Sequence, residues 1–147
     1  MKVKSLIKKL SISGAVSMIL IGGVIPSFAS NNWKDSSFQF DFPALNSADR
    51  YTPGRAKRDT SKSYMKCDTI TAGYSYKAQV YASLGAGNYI DASGGHIYEF
   101  TKGRSYYMTN LVREKGYTAA AIKANAGTNI RNVTAGGVWS PDNVNGY

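Results

Sequence analysis

The stretch that most constrains this chain is its first 29 residues. Lys2, Lys4, Lys8 and Lys9 open it. An apolar run broken by serines and glycines fills residues 10–25, and Ser27-Phe28-Ala29 puts small residues at the two positions a signal peptidase reads. That order of charged, apolar and cleavage regions is the pattern of a secretory leader. The apolar run is shorter than the ~20 residues that span a bilayer, and no second run follows it. The expected product is therefore secreted, cut between Ala29 and Ser30, with no transmembrane segment left after processing. Residues 30–147 then fold as a single domain outside the cytosol.

Such a domain has one cysteine, Cys67, so no internal disulfide can hold it together and its core has to do so. Cys67 lies in an alternating segment between Met65 and Thr69 and is expected to be a buried, inert thiol. All 11 tyrosines fall after residue 50. Tyrosine, threonine, serine and glycine are abundant while leucine and glutamate are scarce, which favours strands and turns over helices. The expected fold is mainly β, a small antiparallel sandwich with at most one short helix.

Phe38-Gln39-Phe40-Asp41-Phe42 alternates strictly, so its three phenylalanines share one face of a strand. Pro43 ends the pairing. Residues 43–62 read as an exposed loop containing Pro53-Gly54 and the basic cluster Arg55-Ala56-Lys57-Arg58. Residues 63–72 and 75–83 form a candidate hairpin, with Tyr76, Ala78, Val80 and Ala82 on one face and Lys77, Gln79 and Tyr81 on the other. Residues 96–101 read as a further short strand. Residues 105–115 have helical character, with Ser105 as cap, Tyr107, Met108, Leu111 and Val112 on one face, and Gly116 as stop. Residues 117–126 are rich in alanine but short and bounded by glycines, which favours a strand. Residues 129–139 are the last strand, with Gly136-Gly137 as a bulge.

Few catalytic chemistries fit. The only histidine, His96, stands three residues after Ser93 in one glycine-rich segment, Asp91-Ala92-Ser93-Gly94-Gly95. A serine nucleophile needs its histidine placed by fold rather than by local sequence, and a glycine turn explains the segment better. One histidine and one cysteine cannot ligate zinc. The chain shows no calcium loop, phosphate loop or dinucleotide fingerprint. No catalytic, metal or cofactor residues are assigned, no cofactor is expected, and the protein is read as non-enzymatic.

Charge points to the envelope. Losing the four leader lysines takes the net charge from +9 to about +5, and a cationic exported domain suits an anionic cell-wall polymer or membrane surface, with no nucleic acid expected. Tyrosine exposes an amphipathic ring that stacks on sugars or partner surfaces. The expected surface-binding residues are Tyr51, Arg55, Lys57, Arg58, Tyr81 and Tyr106; Tyr147 is also expected to be exposed.

Two further segments stand out: Asn110-Leu111-Val112-Arg113-Glu114-Lys115-Gly116-Tyr117 and Gly137-Val138-Trp139-Ser140-Pro141-Asp142. Together with the leader and the Phe-x-Phe-x-Phe opening, they resemble a family of small exported proteins of Gram-positive bacteria known as a domain of unknown function. The resemblance implies compartment and no established activity. In the second segment Trp139 is expected as a core anchor, with Pro141 and Asp142 making a turn. A looser likeness, resting on export, positive charge, lack of disulfides and a late Gly-Val-Trp, is to lactococcin-like bacteriocins. It implies the alternative function of a bacteriocin-like or toxin-like protein acting on neighbouring cells.

Overall fold

The computed structural model describes residues 32–144, and within them every regular element is a strand. The leader, Ala29 and Ser30, and Tyr147 lie outside the described residues. Ten strands follow one another: β1 (Ser36–Phe42), β2 (Arg50–Tyr51), β3 (Arg55–Ala56), β4 (Ser63–Ile70), β5 (Tyr76–Gly85), β6 (Asn88–Asp91), β7 (Tyr98–Phe100), β8 (Ser105–Met108), β9 (Ala119–Asn125) and β10 (Val133–Ser140). They form two antiparallel sheets. The first runs β1-β10-β4-β8. In the second, β9 pairs with β5 at its centre, β2 and β3 add to β9, and β6 and β7 add to β5. No helix among the described residues is long and apolar enough to cross a membrane.

The core is the product of period-two patterning. Phe38, Phe40 and Phe42 point inward from β1, Met65 and Cys67 from β4, and Ala78, Val80 and Ala82 from β5. Ala120, Ile122 and Ala124 do so from β9. The small alanines of the second sheet leave room for the large rings opposite. Tyr76 stacks on Phe100 with centroids 5.2 Å apart and meets Phe40 edge-on at 5.8 Å. Cys67 is a free, fully buried thiol, and burial pushes its pKa up, which keeps it in the unreactive protonated form.

The register between β10 and β4 slips at Gly136 and Gly137, where Thr69 and then Cys67 are the partners and Asp68 is passed over. A Cβ on Gly137 would lie 1.9 Å from the Lys66 carbonyl oxygen. Glycine is therefore required here for close backbone approach, and the bulge re-aims β10 so that Trp139 enters the core.

Three readings differ from the structure. Residues 63–72 and 75–83 do not pair as a hairpin: β4 lies in the first sheet between β10 and β8, and the chain crosses at 71–75 to β5 in the second sheet, where β9, β6 and β7 pair with it. Ser105 to Met108 do not start a helix. They pair with β4 as an edge strand, with Tyr107 opposite Tyr64 and Tyr106 opposite Met65, because the first sheet offers open backbone groups to a run with high strand propensity. What remains of helical character is one turn after it, closed by Lys115 donating to Leu111 O at 2.9 Å and ended by Gly116 at φ 84°. Residues 43–62 are not a fully exposed loop. They contain β2 and β3, both laid on β9, and bury Thr52, Lys57 and Ser61.

Candidate functional site

The basic cluster and the C-terminal motif, distant in sequence, meet at one end of the sandwich. Lys57 and Asp142 form an ion pair at 3.0 Å with both side chains 0 % exposed. The Lys57 ammonium also donates to Ser61 O at 2.6 Å and Pro141 O at 2.7 Å, so all three of its protons are placed. The Asp142 carboxylate accepts from the backbone amides of Asn32 at 2.6 Å and Arg58 at 3.0 Å. Burial pulls Lys57 below the ordinary lysine value even though Asp142 opposes it. Burial would raise Asp142, but the amides of Asn32 and Arg58 and the Lys57 ammonium outweigh it and hold the carboxyl below its usual range. Lys57 is thus removed from the expected binding surface: a buried lysine persists only where its charge is fully paired.

Arg55 leaves that surface too. Its guanidinium donates to Trp139 O at 2.9 Å, Lys34 O at 2.7 Å, Ser36 Oγ and Asn32 Oδ1, and it sits 5.4 Å from the centre of the Trp139 ring. Gly137, Trp139, Ser140, Pro141 and Asp142 therefore close the chain as a clasp on residues 32–63, with Ser63 Oγ donating to Pro141 O at 2.8 Å. Tyr106 is half-buried against Phe100 and Tyr98 and works as packing. Of the cluster's three basic side chains, Arg58 alone is exposed.

The remaining two expected residues come together elsewhere, on the outer face of the second sheet. Tyr51 lies opposite Lys123, Gln79 opposite Lys123 and Tyr81 opposite Asp91, and directly opposed residues share a face. Tyr89, from β6, joins them. The rings of Tyr51 and Tyr89 are stacked, 4.0 Å apart and 4° from parallel, and Tyr81 meets Tyr51 edge-on at 5.9 Å. The Lys123 ammonium is 5.2 Å from the centre of the Tyr81 ring and donates to its hydroxyl at 3.4 Å. All four side chains are half-buried, each keeping an edge in solvent.

Beside the rings runs an open groove of about 480 Å³, lined by Lys123, Asp49, Gln79, Asn125, Lys77 and Glu99 among others. Its polar groups are held in place. Asn125 donates to Asp49 Oδ1 at 2.8 Å, Lys123 pairs with Asp49 at 3.4 Å, and Ser75 donates to Glu99 at 2.8 Å. Gln79 donates to Ser93 Oγ at 3.1 Å, and Ser93 Oγ donates to Asp91 at 2.6 Å. Burial would raise Asp91, but the Ser93 hydroxyl and amide bring it below the usual carboxylate range. Burial pushes the Tyr51 phenol up, and Asp49 adds to it. Burial would lower Lys123, yet its bonds to Tyr81 and Asp49 leave it raised and charged.

Rigid amphipathic rings beside fixed donors, acceptors and an ammonium can stack on a flat or ring-shaped polar group and hydrogen-bond around its edge. Sequence reasoning missed Tyr89 and Lys123. Alternation already put Lys77, Gln79 and Tyr81 on one face, but only the long-range pairing of β9 with both β2 and β5 adds the others. No group of three or more His, Cys, Asp or Glu suited to a metal gathers among the described residues.

A family model described as a protein of unknown function (DUF2712) matches residues 25–143. No curated protein and no solved structure matches the chain.

Proposed function

For a chain that belongs to the DUF2712 family of proteins of unknown function, we propose a non-enzymatic role at the cell envelope: the tyrosine and lysine face of the second sheet holds an anionic wall polymer. The observation that carries this reading is the parallel Tyr51–Tyr89 stack with Tyr81 and Lys123 against it, Lys123 also lining the neighbouring groove. Tyrosine rings cover the apolar face of a sugar, and the Lys123 and Lys77 ammoniums, set against Asp49 and Glu99 in the same groove, are the cations that phosphate or carboxylate substituents would meet. The leader pattern of residues 1–29 supports secretion. The Phe-x-Phe-x-Phe opening and the closing Gly-Val-Trp-Ser-Pro-Asp support an origin among exported proteins of Gram-positive bacteria.

The non-enzymatic part is supported by how the polar groups are spent. Asp49 and Glu99 of the groove are engaged by Lys123, Asn125 and Ser75, and the Ser93 hydroxyl is turned to a carboxylate rather than to an imidazole.

The test compares variants for retention on purified Gram-positive wall. Tyr81→Ala is expected to weaken retention roughly tenfold, and Lys123→Gln, which keeps most of the stem over Tyr81, to flatten its dependence on salt. Undiminished binding by both variants, with their folds confirmed by circular dichroism, would remove this face from the account.

A further inference from the structure

We propose that the opposite end of the sandwich from the Lys57–Asp142 clasp is a contact surface for an anionic lipid bilayer, with Leu45 and Ile130 as the side chains that enter it. Phe42 lies opposite Val133, Ala135 opposite Ile70 and Tyr76 opposite Phe100. The connections 43–49, 71–75, 101–104 and 126–132 therefore all emerge at this one end. Two of them are tied together: the Leu45 amide donates to Asn129 O at 2.7 Å, and the Ala44 amide to Asn132 Oδ1 at 2.8 Å. That pairing brings Leu45 close to the loop that presents Ile130. At 75 % and 81 % exposure, these are the most exposed large apolar side chains among the described residues.

The backbone makes the apolar tip more than a chance surface residue. Leu45 stands at φ 58°, a left-handed conformation that glycine or asparagine adopts freely and leucine adopts at a cost. Selection for stability alone would favour glycine at this turn, yet a large aliphatic side chain is held there in water.

The charge around the tip selects the partner. Arg131 follows Ile130 directly, and Lys102 lies in the 101–104 connection at the same end. Both are exposed, and neither forms an ion pair among the described residues. Of the carboxylates at this end, Asp49 is paired with Lys123, while Asp41 and Glu99 accept from the neutral donors Gln39 and Ser75. Protruding aliphatic side chains with unpaired cations behind them match an anionic bilayer, which accepts the tips between headgroups and the cations at phosphate level. A sugar polymer offers such tips nothing to enter. Leu45 and Ile130 do not line the groove beside the tyrosines, although Asp49, Ser75, Ala126 and Gly127 of the same connections do, so a domain using both would hold wall polymer next to the membrane it sits on.

The experiment measures co-sedimentation of the mature protein with phosphatidylglycerol vesicles and with phosphatidylcholine vesicles at low ionic strength. The wild type is expected to bind the anionic vesicles and not the neutral ones. Leu45→Gly combined with Ile130→Ser is expected to lower that binding about tenfold or more. Because Leu45→Gly relieves the strained backbone, its melting temperature is expected to stay level or rise, so lost binding cannot be lost folding. The double variant is also expected to keep its retention on purified wall, which separates this surface from the tyrosine face. Unchanged vesicle binding by the double variant would overturn the proposal. So would a wild type that ignores anionic vesicles and instead self-associates through this end.

Discussion

Replacing Asp142 with alanine is expected to destabilise the protein by about 3–5 kcal/mol, because it leaves the Lys57 ammonium charged in a site with no access to water. The pair is fully buried on both sides, and the carboxylate also organises the amides of Asn32 and Arg58. Loss is read as a lower denaturant midpoint with an unchanged slope. The double variant Lys57→Met, Asp142→Leu is expected to recover most of it, since a buried pair is often replaceable by packed apolar side chains of similar volume.

The same carboxylate gives the pH dependence. The Asp142 pKa in the folded state is depressed, so its contribution is complete above the ordinary aspartate value. That contribution is lost as pH falls through the folded-state value below it. Acid unfolding of the wild type should steepen in that window, and Asp142→Asn should flatten it. A stability curve of the same shape in both proteins would contradict the assigned role.

Trp139→Ala is the second large effect, about 3–5 kcal/mol from the cavity and the lost transfer free energy of a fully buried indole. Arg55 would lose its ring partner as well. The melting temperature should fall by more than about 10 °C. Trp33, the other tryptophan, is about half exposed, so the blue-shifted part of the emission should vanish with Trp139 while the solvent-exposed part stays. An intact blue-shifted band in the variant would place the buried indole elsewhere.

The sheets were legible where chemistry is local. Alternation in Phe38-Gln39-Phe40-Asp41-Phe42 and in residues 76–82 assigns faces directly, because side chains on a strand have period two. The glycine pair at 136 and 137 marks the irregular point of β10 for the same local reason: only a residue without Cβ lets Lys66 O approach. Residues 105–115 were misread because their helical spacing is also compatible with an edge strand followed by a turn, and open pairing sites on β4 decide between the two. The basic cluster was misread because charge alone suggests solvent. Asp142, 85 positions away from Lys57, is what allows that lysine inside. Half of the tyrosine face was visible as Tyr51 and Tyr81. Tyr89 and Lys123 join it through strand pairings across the second sheet that no local pattern encodes.

The central claim, that this domain holds an anionic wall polymer through Tyr51, Tyr81, Tyr89 and Lys123, is tested most directly by co-sedimentation of the unsubstituted protein with two preparations of Gram-positive wall. One is intact and the other stripped of its phosphate-bearing polymer. The account predicts retention on intact wall at low salt, release as salt rises, and little retention on stripped wall. Equal recovery in the supernatant with both preparations at low salt would contradict it.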